Sequence, residues 1–215
     1  MHPSDTVQPI LLRVDKEDPA AHRDAVAAAA LACVLAYARR ESDEAWEDWV
    51  HGRFTKTVRR AGPKPFAKLS PGAQSGTVVI GKAEAAAFEP QTYERMPRSL
   101  RSLQVSGTQL PAGDPVPASR ENPLIVLNRD LAMSTGKAAA QAAHALLAWY
   151  LSLAPGQAVA FAAHPGAAAT EIRADRFREL GSLPGAGPLI VDAGLTEIDP
   201  GSATAFVAPA AALQP

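Results

Sequence analysis

The stretch that most constrains this chain runs from Asn122 to Tyr150, NPLIVLNRDLAMSTGKAAAQAAHALLAWY. It opens with an apolar run, Leu124 to Leu127, containing the Ile and Val expected of a buried strand in a parallel or mixed sheet. A short polar loop, Asn128 to Thr135, leads into an Ala-rich segment of strong helix formers that reaches about Leu153. Ser134 stands where an N-cap belongs. Lys137, Gln141 and His144 recur at i, i+4 and i+7 and therefore share one helical face, among alanines small enough to let another molecule approach. A cation in the first helical turn opposes the macrodipole, yet free N–H groups beside an ammonium make an anion site. The alternatives are a solvated lysine and a histidine that is merely tolerated.

With 215 residues, 47% hydrophobic and 20% charged, the chain has room for one large or two small globular domains. No apolar run reaches transmembrane length and no signal pattern opens the sequence, so no membrane partner and a cytoplasmic location are expected. Cys33 is the single cysteine and has no nearby ligand partners, which argues against a disulfide and against a structural metal site; no cofactor is expected. The net charge of −1 excludes a polycation, but Arg53, Lys56, Arg59, Arg60, Lys64 and Lys68 follow one another without an acidic residue between them. Such a run is either a solvated face or a patch that tracks phosphates.

Strands are expected at Pro9–Val14, Phe54–Arg60, Thr77–Ile80, Ala85–Phe88, Leu124–Leu127, Ala158–Ala162, Leu189–Val191 and Thr204–Val207, with helices at about 20–39, 65–69, 136–153 and 170–180. Trp46 and Trp49, one turn apart, should pack as a pair. Pro, Ser, Gly and Arg dominate 91–121, which reads as loop or linker. Two halves emerge in the same order of elements. Ile10-Leu-Leu and its helix mirror Leu124-Ile-Val-Leu and its helix, Tyr37 falls where Tyr150 does, Val78–Ile80 matches Leu189–Val191, and Ala86–Pro90 matches Ala205–Pro209. Thr55–Arg60 would then match Ala158–Ala162. On this alignment Asp24, Ala28 and Leu31 replace Lys137, Gln141 and His144, so one half has lost the polar set. Two Ala-rich segments can also resemble each other by composition alone. The expected architecture is α/β: three-layer α/β/α halves with mixed sheets, in tandem, forming an intrachain pseudo-dimer. The expected divisions are 1–110, a linker at 111–121, and 122–215.

In α/β sheets ligands bind beyond the carboxyl ends of strands. The strand before Lys137 and the strand before Asp192 would therefore bring these residues to one edge, with Thr196 four residues beyond. An ammonium, a carboxylate and a hydroxyl at a helix N-terminus suit hydrolysis of a phosphate-bearing substrate. RDLAMSTGKAAAQAAHA (Arg129 to Ala145) and DAGLTEIDPG (Asp192 to Gly201) together resemble the type II, archaeal/eukaryotic-type peptidyl-tRNA hydrolase family over about residues 122–210. The resemblance implies metal-free hydrolysis of the ester between a peptide and the tRNA 3′ ribose. It implies Lys137, Asp192 and Thr196 as catalytic residues, with Gln141 and His144 lining the site; Arg129 and Ser134 are expected to bind substrate with them. Family members act as homodimers, so the fused halves are expected to be monomeric, with a further homodimer as the alternative. Ala132 and Leu195 stand where many members carry basic or polar residues. Lys56, Arg59 and Arg60 are therefore the expected source of tRNA phosphate contacts. Two other readings are a non-catalytic RNA- or protein-binding module and a hydrolase of another aminoacyl ester.

Overall fold

The computed structural model describes residues 6–41, 44–70, 77–113, 122–194 and 197–209. In the N-terminal half the elements are β1 (Thr6–Arg13), α1 (His22–Ala38), α2 (Glu44–His51), β2 (Lys56–Ala61), α3 (Pro63–Leu69), β3 (Thr77–Ile80), β4 (Ala83–Ala87), β5 (Gln91–Thr92) and α4 (Arg98–Arg101). The C-terminal half has β6 (Leu124–Asn128), α5 (Thr135–Ser152), α6 (Pro155–Ala163), β7 (Ala168–Ile172), α7 (Ala174–Gly181), β8 (Ile190–Val191) and β9 (Ala203–Val207).

The two sheets have the same plan. Strand order is β2-β1-β4-β3 in one and β7-β6-β9-β8 in the other, with β5 added along β1. In each, the first strand pairs parallel with its crossover partner and antiparallel with the last strand, which pairs antiparallel with the short one before it. The register agrees as well: Ile10 lies between Val58 and Ala87, and Ile125 between Ala169 and Val207. The long helices α1 and α5 run side by side in one direction, because counterparts meet at both ends. His22 touches Thr135 and Tyr37 touches Tyr150, each across the same 113-residue offset. Contact between counterparts is what a twofold-like relation produces near its axis. The halves are related, and they form an intrachain pair.

Burial on both faces explains why the centres of β1 and β6, Pro9–Leu12 and Leu124–Leu127, are apolar runs rather than alternating. Ile10, Leu12, Ile125 and Leu127 face the helical layer shared by the halves, where buried alanines of α1 and α5 let the two backbones come close. Val7 and Leu11 face outward onto Phe66 of α3 and Leu100 of α4. Val126 and Phe206 meet Phe177 of α7, with the two rings 4.9 Å apart. Each half is thus an α/β/α stack, and one helix layer serves both. Among the described residues no helix is long and apolar enough to cross a membrane.

One strand assignment is corrected. Ala158–Ala162 is not a strand; it lies in α6, and the strand parallel to β6 is β7 at Ala168–Ile172, which shortens the expected 170–180 helix to α7. Pro155 sits in the first turn of α6 and four alanines follow, a composition that favours helix once Pro sets the first φ. The β7 slot is decided by pairing with β6, and as a half-exposed edge strand it carries little hydrophobic pattern of its own. In the repeat, α2 therefore matches α6 and β2 matches β7. Trp46 and Trp49 do pack edge-to-face, 5.6 Å apart. The 91–121 stretch is only partly linker: β5 and α4 lie in it, Gln104 bridges to Arg60, and Leu110 N–H donates to Thr135 Oγ1 at 3.0 Å. Most of the expected 111–121 boundary, residues 114–121, lies outside the described residues.

Candidate active site

Strand β9 is antiparallel to both β6 and β8, so β6 and β8 point the same way and end at one edge. Beyond β6 the chain turns into α5. Ser134 caps that helix, its Oγ accepting the Lys137 N–H at 3.2 Å. Beyond β8 comes Asp192, whose own N–H donates to the Ser202 carbonyl while its carbonyl accepts from Gly201 N–H, both at 2.9 Å. This closes the β8–β9 hairpin and holds the Asp192 backbone. Gly194, at φ +74°, lets the chain turn so that its N–H donates to Asp192 Oδ1 at 2.8 Å; a Cβ there would lie 2.7 Å from Pro200.

The two motifs meet at this corner. Lys137 Nζ lies 2.5 Å from Asp192 Oδ2, and Gln141 Nε2 donates to the same oxygen at 2.7 Å. The Lys137 and Asp192 side chains are 9% and 7% exposed, yet both line a cavity of about 750 Å³. Behind them Thr204 Oγ1 donates to Gln141 Oε1 at 2.7 Å, with the Ile190 carbonyl 3.1 Å away as a competing acceptor, and supports the amide orientation that the carboxylate requires, NH₂ toward Asp192. A buried pair this close is supported by further hydrogen bonds to its charged atoms, here from Gln141 Nε2 and the Gly194 N–H to the carboxylate.

His144 lies on the same face of α5 and also lines the cavity. Its Nδ1 is 3.1 Å from Lys56 Nζ, which reaches over from β2 of the other half. Burial pushes the Lys56 ammonium down to about 7. Burial and then the charges of Lys56 and Lys137 hold the imidazole well below the usual histidine range. Arg53, Phe54 and Val58 of the N-terminal half form the facing wall, and Val105, Leu189 and Val191 give it an apolar rim.

Other expected site residues lie elsewhere. Arg59 is 1% exposed; it sits on the outer face of β2 and donates through Nη1 to the Arg101 carbonyl at 2.9 Å, with its guanidinium over Tyr93. The basic run is therefore not one face. Strand alternation sends Lys56 inward and Arg59 outward, and a buried guanidinium held by backbone carbonyls cannot reach a phosphate. Arg60 is bound to Gln104 and is not among the cavity residues, nor is Arg129, which is exposed on the 3-10 turn Arg129–Leu131. Ser134 is taken up by its cap and by Glu197, to which its Oγ donates at 2.6 Å. Thr196 lies outside the described residues. Sequence reasoning did not single out Thr204, Glu197 or Phe54. Thr204 had a legible signal, a hydroxyl on an otherwise apolar closing strand; the other two had none.

The corresponding corner of the N-terminal half carries different groups. By strand register Gly81 holds the place of Asp192 and Glu84 that of Thr204, while Asp24 takes the place of Lys137 on the helix. The correspondence is physical, because a Cβ on Gly81 would lie 2.4 Å from Asp24 Oδ2.

Residues 123–213 match the family described as Peptidyl-tRNA hydrolase PTH2. Neither the curated proteins nor the solved structures contain a match to this chain.

Proposed function

We propose, from the membership of residues 123–213 in the PTH2 peptidyl-tRNA hydrolase family, that this protein hydrolyses the ester joining a peptide to the 3′ ribose of tRNA. The observation that carries the reading is the Lys137 ammonium against the Asp192 carboxylate inside a cavity at the sheet edge. It is supported by the strand directions, which place both groups where α/β folds keep their ligands.

The chemistry follows from the hydrogen bonds. Among the described residues, Asp192 Oδ2 takes Lys137 and Gln141, while Oδ1 takes the Gly194 N–H alone. A carboxylate has about four acceptor sites, so Oδ1 keeps one for a water. That water attacks the ester carbonyl carbon as its proton passes to Asp192. The Lys137 ammonium, beside the carboxylate, donates to the oxyanion that develops on the carbonyl oxygen. The carbon–oxygen bond to the ribose then breaks, and the proton held by Asp192 moves to the departing 3′ oxygen. The products are a peptide carboxylic acid, which releases its proton to solvent to become a carboxylate, and a tRNA 3′ hydroxyl. Thr196 is proposed to donate a further hydrogen bond. The rim suits both parts of the substrate: Arg53 faces phosphates, and Val105, Leu189 and Val191 meet the ester-linked peptide.

Purified protein tested on N-blocked aminoacyl-tRNA, free aminoacyl-tRNA and small esters decides the matter. Selective cleavage of the blocked tRNA ester, lost in Lys137→Ala and Asp192→Asn, is expected. Binding without cleavage would establish a recognition module instead, and preference for a small ester would establish another hydrolase.

A further inference from the structure

Strand β2 lies outside the family match, yet its first residue enters the wall of the other half's cleft. Lys56 is buried there without a neutralising carboxylate among the described residues. Its Nζ is 3.1 Å from His144 Nδ1 and 3.4 Å from the Phe54 carbonyl, and it rests 3.4 Å from the Phe54 ring centroid and 4.4 Å from that of Trp49. Phe54 closes the cage from the left-handed region, at φ +55°, and its ring also packs edge-on against His144. A bulky side chain in that region is backbone strain, which folded proteins retain where the surroundings hold it and which clusters at functional sites.

The degenerate corner supplies a control within the chain. Val58 corresponds to Ala169, so two residues earlier Lys56 corresponds to Ala167, and His144 corresponds to Leu31. The lysine and the imidazole it touches are present together at the cleft holding Lys137 and Asp192, and absent together from its counterpart.

We propose that Lys56 is a positioning residue: its bond to Nδ1 holds His144 as the neutral, Nε2-protonated tautomer and so fixes a hydrogen-bond donor for the substrate in the cleft. The N-terminal half thereby completes the C-terminal site. The role toward substrate rests on the peptidyl-ester reading; the tautomer does not. An ammonium only donates, so whenever Lys56 is charged Nδ1 must accept and the ring hydrogen must sit on Nε2. The titratable groups acting on this pair are Cys33 of α1, which faces Lys56, and Lys137 of α5, which acts on His144. Neither charge favours an imidazolium: the Cys33 thiol is held up at about 11 by burial, and the Lys137 ammonium repels a second cation.

Long-range ¹H–¹⁵N spectra of the whole protein labelled at histidine, with the His144 signals assigned by His144→Gln, read the tautomer directly. Wild type at pH 6.5 should show a neutral Nε2–H ring. Lys56→Met should give a mixture of tautomers and roughly a tenfold lower kcat with little change in KM. Lys56→Arg, which keeps a donor in the cage, should restore both and tests the donor independently of the methionine variant. An imidazolium or an Nδ1–H ring in wild type, or an unchanged tautomer in Lys56→Met, would overturn the proposal. So would a shifted tautomer with unchanged kcat. If wild type cleaves no ester while the Nε2–H ring is present and depends on Lys56, the functional reading has failed and not the assignment of Lys56.

Discussion

At the end of β8 a carboxylate meets an ammonium; at the matching end of β3 a glycine makes room for an aspartate. Around these two corners the backbones agree in strand order, direction and register, and the long helices run together. The polar network agrees nowhere. Asp192, Lys137, Gln141, Thr204 and His144 become Gly81, Asp24, Ala28, Glu84 and Leu31. Burial lifts the Asp24 carboxyl above its ordinary value, while at the other corner the carboxylate is met by three donors. The fold is therefore maintained by apolar burial and pairing, which both halves share. The polar network is a separate layer that only one of the two corners carries, with Lys56 of the other half reaching into it.

The comparison is most easily broken at the ion pair. Lys137→Ala or Asp192→Asn should lower turnover of N-blocked aminoacyl-tRNA by about 10³-fold, since each removes a group acting on the developing charge. Asp24→Ala should leave the same assay unchanged. Next comes the support behind the pair. Thr204→Val takes away the donor to Gln141 Oε1 and frees the amide to turn, with a loss of about 10- to 100-fold in kcat/KM on the scale of groups that orient active-site side chains.

A third experiment concerns stability. Lys56 titrates near 7 in the folded chain and at 10.5 when solvated, so the unfolded state binds more protons between those values and wild-type stability rises with pH across that window. The penalty of burying the ammonium is full below about 7 and fades above it. Lys56→Met should therefore be more stable than wild type by about 2 kcal/mol at pH 7, with the advantage shrinking toward pH 10 in urea titrations. Arg59→Met should cost about 1–2 kcal/mol, from guanidinium bonds to the Arg101 and Leu103 carbonyls lost on the outer face, and should leave the salt dependence of tRNA binding unaltered. The smallest effect belongs to Arg53 at the cavity wall. Arg53→Ala should reduce the slope of log affinity against log salt by about one phosphate contact, measured by filter binding.

How far these features could be read beforehand depended on whether their cause was local. The Asn122–Tyr150 strand, cap and helix were legible because apolar run, Ser134 and alanines are neighbours in the chain. The order of elements in the halves was legible too, as was the shared edge of Lys137 and Asp192, since topology rules convert sequence order into strand ends. β7 was misplaced because an edge strand's identity comes from its partner, and the alanines and valine of 158–162 satisfy helix as readily as strand, with Val159 left 71% exposed.

What composition and periodicity settled on their own was the α/β class and the duplicated plan, together with a set of candidate residues for the site. Assembly decided which of those residues share a cavity. Burial of one basic residue inward and another outward on β2, the passage of Lys56 from one half to the histidine of the other, and the locking of Gln141 by Thr204 all depend on contacts between segments tens of residues apart. Side-chain direction along a strand has a period of two, so a run of like charges fixes composition but not face, and only pairing with a neighbouring strand selects which charges point at the site.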